Sequence, residues 1–294
     1  MKFETSILLL VLGACRYLVP VASQPPVAPV APAPVAPAPV SGGSGGDPHF
    51  TTWTNQHYDF HGHCDLVLVK NQSFRNGKGI SIHIRSSEYK TFFSYISAVA
   101  VKIGDDTLEV GGDGTHYVNG IAQAPLKSLG RGRFRITYKE NNVQGLRRIY
   151  KIGLDAHTAI VIRVHGEWIR VQINNAKEKD FQSSVGLMGS FQDGTLLGRD
   201  DETAFTSIND FGMEWQVHED LDGQLFQTPS PYPDKCNMPS EADMPSRRRR
   251  LSESTVSEED AVRACSQWGK DGLKDCVMDV LVSDNLAMAD LGPF

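Results

Sequence analysis

The sequence predicts a mainly β fold: an antiparallel domain of sandwich or barrel type, followed by a short α-helical segment. Two observations carry this reading. From Asp47 to about Cys236 the chain is a series of short apolar or alternating runs, separated by turn dipeptides. From Ser257 onward the apolar residues take up the spacing of helix faces instead.

The strands come in order. Leu66-Val67-Leu68-Val69 is a continuous apolar run of the buried-strand kind, and Ile80 to Arg85 alternates with period two. Ala98 to Ile103, Phe134 to Tyr138, Ala159 to Val164 and Trp168 to Ile173 follow. Between them stand Asn76-Gly77, Gly104-Asp105-Asp106, Gly111-Gly112-Asp113-Gly114, Asn119-Gly120 and His165-Gly166, which are turn signals. Gly111 to Gly114 reads as a hairpin turn rather than a phosphate loop. Many short strands at such spacing fit a sandwich or a barrel equally, and the pattern does not choose between them. After Ser257, a good N-cap, Glu258, Glu259 and Asp260 occupy the first turn, where the helix dipole favours acids. Ala261, Val262, Ala264, Leu273, Val277, Val280 and Leu281 then imply two short helices joined near Gly269 to Gly272.

Residues 1–23 read as a signal peptide. Lys2 precedes the apolar run Ile7 to Cys15, and Val21-Ala22-Ser23 offers small residues for a peptidase. Leu12-Gly13-Ala14-Cys15 also has the form of a lipobox, so lipid anchoring through Cys15 is the bacterial alternative. The run is short for a bilayer span, and no later stretch reads as a transmembrane helix. Residues 24–45 are a linker: a Pro, Val and Ala repeat suited to polyproline II, then Gly and Ser as a flexible joint from Ser41 to Gly46. The formal net charge of −6 gives no overall basic field for nucleic acid. The dense basic run Arg247, Arg248, Arg249 and Arg250 lies in a second linker, 237–256, where it reads either as a processing site or as a solvated charge run.

The turn Gly46-Asp47-Pro48-His49-Phe50-Thr51-Thr52-Trp53, then Tyr58-Asp59-Phe60-His61-Gly62-His63-Cys64, resembles the opening of a von Willebrand factor type D domain. Gly186-Leu187-Met188-Gly189-Ser190-Phe191 and Phe211-Gly212-Met213-Glu214-Trp215-Gln216-Val217 match later family motifs in the same order. The resemblance implies a β-sandwich-like domain over 46–236 and a helical cysteine segment over 257–294. The family has one Cys before its Gly-Asp-Pro-His and another where Met188 stands; both are missing here, and in the family they pair with each other.

Without Cys15 four cysteines remain, an even count that fits disulfides in an exported chain, with three connectivities open. The resemblance implies Cys64–Cys236, and the local helix pair favours Cys265–Cys276. It also implies a Ca²⁺ site, whose ligands fall by position on Thr54, Ser190, Asp193 and Asp200 or Asp201. Thr54 and Ser190 each replace a stronger ligand, so such a site is weak, and the plainer reading is an acidic solvated turn. Asn71-Gln72-Ser73 is a glycosylation sequon in a polar stretch expected to be exposed. His57, Asp59, His61 and His63 alternate, which in one strand places them on one face as a metal or acid–base set; a polar strand face is the plainer reading. The Asp47–Pro48 bond is chemically predisposed to acid cleavage, because the Asp carboxyl can attack its own carbonyl and the Pro nitrogen leaves readily once protonated. His49 could assist there as a local acid; otherwise the bond is a rigid opening turn.

The function these readings imply is a secreted, non-catalytic structural or adhesive protein that uses the domain to bind extracellular proteins or glycans. The alternatives are a carbohydrate- or matrix-binding module, and a secreted metal-dependent hydrolase built on the histidine face.

Overall fold

The computed structural model describes residues 40–46, 48–90, 93–141, 147–239 and 254–290. The segment read as a signal peptide, Cys15, the Pro-rich repeat to residue 39, Asp47 and the run Arg247 to Arg250 lie outside the described residues.

Among the described residues, fourteen strands form two antiparallel sheets. The first has the order β10 (Ser128–Leu129), β11 (Phe134–Asn141), β12 (Arg147–Gly153), β13 (Ala159–His165), β14 (Trp168–Ala176), β1 (Val40–Gly45), β2 (His49–Thr51) and β3 (His57–Asp59). The second runs β4 (Cys64–Asn71), β5 (Ile80–Lys90), β6 (Phe93–Ile103), β7 (Asp106–Gly111), β8 (His116–Val118) and β9 (Ile121–Ala122). All six strands read from the alternation are present. The dipeptide Asn119-Gly120 turns a further hairpin between β8 and β9: both residues take positive φ, as a two-residue hairpin loop requires.

Alternation decides what each sheet buries. The row Ile136, Ile152, Ile160 and Ile173 crosses four neighbouring strands of the first sheet. The row Leu66, Ile84, Val99 and Val110 crosses four of the second. Both rows belong to one core, so the two sheets pack face to face as a sandwich. On the far side of the second sheet, Ala98 and Ala100 are covered by Leu225 and Phe226.

The joint expected from Ser41 to Gly46 is instead mostly strand β1, paired with β14 on one side and β2 on the other. Its glycines answer to crowding rather than flexibility. A Cβ on Gly43 would lie 2.1 Å from the Val171 carbonyl oxygen, and one on Gly42 would lie 2.4 Å from Cε of Met188.

The two C-terminal helices also form. Helix α1 (Glu258–Cys265) is capped by the Ser257 hydroxyl, which accepts from the Asp260 amide, and helix α2 spans Gly269–Ser283. The joint falls on the 3₁₀ turn Ser266–Trp268, just ahead of the expected glycines. These helices bury Ala261, Val277, Val280 and Leu281 in a second cluster with Trp168 of β14. Tyr89 and Tyr95 complete that cluster, their rings 5.1 and 5.4 Å from the Trp168 ring.

Candidate functional site

The opening motif lies where the first sheet meets helix α2. Gly46 has φ +64, and a Cβ there would sit 2.4 Å from a carboxylate oxygen of Asp279. Beyond Asp47, Pro48 is buried and His49 is only 7% exposed. Its Nδ1 stands 2.7 Å from an Asp59 carboxylate oxygen and its Nε2 stands 3.6 Å from one of Asp279. Burial pushes the Asp59 carboxyl up, but the hydrogen bond and charge of His49 outweigh it and hold the group below its ordinary value. On β14, directly opposite Gly45, Arg170 is 4% exposed. Burial pulls its guanidinium down to about 9 and the neighbouring Arg163 acts in the same sense, whereas Asp279 opposes both. Asp279 of the helical segment therefore faces His49 and Arg170 together.

The other motif residues build the floor beneath this point. The Tyr58 hydroxyl donates to the Leu187 carbonyl. Tyr58 stacks on Phe50 at 5.1 Å and meets Phe211 edge-on, while Trp53 packs between Phe181 and Phe191. Gly212 lies so close to Phe60 that a Cβ would fall 2.3 Å from its ring. Met188 occupies the space over Gly42, so apolar packing fills the region between the two segments that lack the family's cysteine pair.

Cys64 is bonded to Cys236, and Cys265 to Cys276. Thr54 and the loop from Ser190 to Gly194 come together, because the Thr54 hydroxyl lies where a Gly194 Cβ would be. Those residues do not fit a Ca²⁺ cage. Asp193 accepts from the Thr195 amide in its own turn, and that bond with others from Thr195 and Ser190 holds it below its ordinary value. Asp200 is likewise held low by Thr203 and Glu202 within its turn, with Asp201 beside it at φ +60. Among the described residues no group of three or more His, Cys, Asp or Glu is placed to hold a metal.

The histidine face does not form. β3 ends at Asp59 and β4 begins at Cys64 in the other sheet, so residues 60–63 are a crossing and not a strand. His57 Nδ1 lies 3.2 Å from the Thr51 hydroxyl, whereas His63 pairs with Asn237. Asn71 also departs from expectation. It is 2% exposed, its Nδ2 donates to the Asp180 carbonyl at 3.0 Å, and its Oδ1 accepts from Ser73 at 2.9 Å. The sequon thus sits in a buried strand end, with its amide already engaged.

The model of the von Willebrand factor type D domain matches residues 44–193, just over half of the chain. The chain belongs to the von Willebrand factor type D domain family. No curated protein matches it. D domains mediate extracellular protein interactions, and the family is generally non-enzymatic. No helix among the described residues is long and apolar enough to cross a membrane. Two features of this D domain escaped the sequence reading. Asp279 carried no local signal, since only the docking of α2 brings it to the opening motif. The alternating cations of β11 and β12 were visible, but which face they share depends on strand register.

Proposed function

We infer that the chain is a secreted, non-catalytic protein of structural or adhesive type, with its D domain as the module that binds extracellular partners. The observation that carries this reading is the pair of cystines in a member of an extracellular-type family. Disulfides form and persist in oxidising compartments. Each closes its own part of the chain: Cys64–Cys236 spans the D domain and Cys265–Cys276 ties the two helices.

Expression of the complete chain with its own N-terminus tests the reading. The expected result is an oxidised chain in the medium that titrates no free thiol and adheres to deposited extracellular matrix. Reduction should abolish that adhesion. Retention inside the cell as a reduced chain, or adhesion that survives reduction and unfolding, overturns it.

A further inference from the structure

The face of the first sheet turned away from the core is strongly and one-sidedly charged. Residues that alternate with the buried row point outward: Arg135, Thr137 and Lys139 on β11, then Arg147, Ile149 and Lys151 on β12. Arg163 on β13 and Arg170 on β14 continue the same side, and no outward position of β11 to β14 carries a carboxylate. Six cations thus share one face of a chain whose net charge is −6. Register places Lys139 opposite Ile149, Ile149 opposite Arg163, and Arg163 opposite Arg170. With strands about 4.8 Å apart, Lys139 and Arg163 stand roughly 10 Å apart in one row.

Like charges held together oppose folding. Part of this charge is answered within the chain. Asp279 faces Arg170, and Asp290, beyond α2, pairs with Arg147. The helical segment that supplies both acids has eight acidic and three basic residues between Ser254 and Asp290. The sheet therefore already seats one acidic partner, which reaches from Arg170 on β14 to Arg147 at the start of β12. The rest of the β11–β12 face is open: Arg135, Lys139 and Lys151 are exposed. Among the described residues none of these three, nor Arg163, makes an ion pair; burial alone pulls Arg163 down, with no acid beside it.

A groove of about 620 Å³ at the rim of β11, lined by His116, Leu126, Ile136 and Tyr138, lies on the core-facing side instead, where Tyr138 packs on Tyr150 and its hydroxyl donates to Glu140. The cations of the outward face suit a stiff chain of repeated fixed anions.

We propose that the outward face of β11 and β12, with Arg135, Lys139 and Lys151 as its contacts, binds a sulfated polysaccharide. This rests on the extracellular reading of the chain. Sulfate stays ionised at any physiological pH, and a flat sheet can meet an extended polyanion across several strands without remodelling.

Retention of the purified complete chain on immobilised heparin, eluted by salt, tests the proposal. Desulfated heparin, polyglutamate and duplex DNA of similar length serve as competitors. The double variant Lys139→Glu/Lys151→Glu alters only exposed side chains, and Lys102→Glu/Lys179→Glu, also exposed, changes net charge equally elsewhere. The expected result is salt-sensitive retention displaced by free heparin and not by desulfated heparin. The first variant should bind at least thirtyfold more weakly, on the order of two basic contacts with a dense anionic surface, and the second should bind like the parent. No retention near 50 mM salt, equal loss in both variants, or stronger displacement by polyglutamate or DNA than by heparin overturns the proposal. Secretion scored in the same cultures separates the two readings. A secreted chain blind to heparin sinks this face alone, whereas a chain retained in the cell sinks the extracellular reading whatever it does on the column.

Discussion

Acid should weaken this fold through His83, and the size of the effect follows from its site. His83 is fully buried on β5, on the side of the second sheet that the segment around Leu225 and Phe226 covers. Its Nε2 is 3.0 Å from the Ser81 hydroxyl. Burial drives its pKa down to about 3 from 6.5; Asp222 resists, while Lys70, Arg199 and Lys102 add to the fall. In the unfolded chain the ring titrates near its ordinary value, so between about pH 6.5 and pH 3 the unfolded state binds the extra proton. Stability is then full above about pH 6.5 and is lost as pH falls through that window. Between pH 7.5 and pH 5 the loss from this one group is about 2 kcal/mol. Burial lowers His63 and His165 as well, which acts in the same direction. Burial raises Asp65 and Glu109, which acts in the opposite one, so the parent's pH profile alone cannot isolate His83. The comparison is with His83→Gln, which keeps a hydrogen-bonding group for Ser81 and removes the titration. Urea melts of both proteins at the two pH values give the quantity directly. The parent should lose about 2 kcal/mol more than the variant over that interval. Equal losses would refute the reasoning, because they would mean that the ring reaches solvent or charges in place without penalty.

Four further outcomes follow from the described contacts. Asp279→Ala removes the acid that meets His49 and opposes the burial of the Arg170 charge, so the helical segment should be held more weakly; limited proteolysis should then release it before the D domain is cut. Replacing Cys64 and Cys236 by Ala opens a loop of 172 residues and should lower stability by about 5 kcal/mol, read from urea melts under non-reducing conditions. Endoglycosidase should leave the mass of the secreted chain unchanged, since the Asn71 amide is buried and bonded; a shift that Asn71→Gln abolishes would contradict that burial. N-terminal sequencing after incubation at pH 5.5 and at pH 7.5 should find Asp47–Pro48 uncut at both, because His49 beside it is already held by Asp59 and Asp279; a Pro48 terminus appearing only in acid would refute this.

The sequence discloses whatever is decided within a few residues. Period-two runs gave β5, β6, β11, β13 and β14, and Asn119-Gly120 gave a hairpin, because side-chain alternation and positive φ are local demands. Where tertiary crowding decides, the reading fails. Gly42 and Gly43 look like a flexible joint in sequence, yet they are glycines because Met188 and the Val171 carbonyl leave no room for a side chain. The alternation of His57, Asp59, His61 and His63 was genuine, but alternation implies a shared face only while the chain stays in one strand, and this chain changes sheets between Asp59 and Cys64. Asn71 looked exposed for its polar neighbours, whereas the loop at Asp180 and Ser184 closes over it from more than 100 residues away. The ligand set suggested for Ca²⁺ was half legible: Thr54 does meet the Ser190 loop, but the carboxylates of Asp193 and Asp200 serve their own turns.

The attachment of the helical segment has a consequence that sequence order conceals. Neither cystine joins it to the D domain, since Cys64–Cys236 closes before it and Cys265–Cys276 lies within it. Among the described residues its hold on the sandwich includes three noncovalent contacts: the aromatic cluster of Tyr89, Tyr95 and Trp168, the acid of Asp279 facing His49 and Arg170, and the pairing of Asp290 with Arg147. Two of the three are electrostatic, and the one at Arg170 is shielded from salt by burial. A cut within the basic run Arg247 to Arg250 would therefore leave the segment bound by packing and charge alone. Its acids would then hold Arg170 on β14 and Arg147 at the start of β12, while Arg135, Lys139 and Lys151 stay open and cationic.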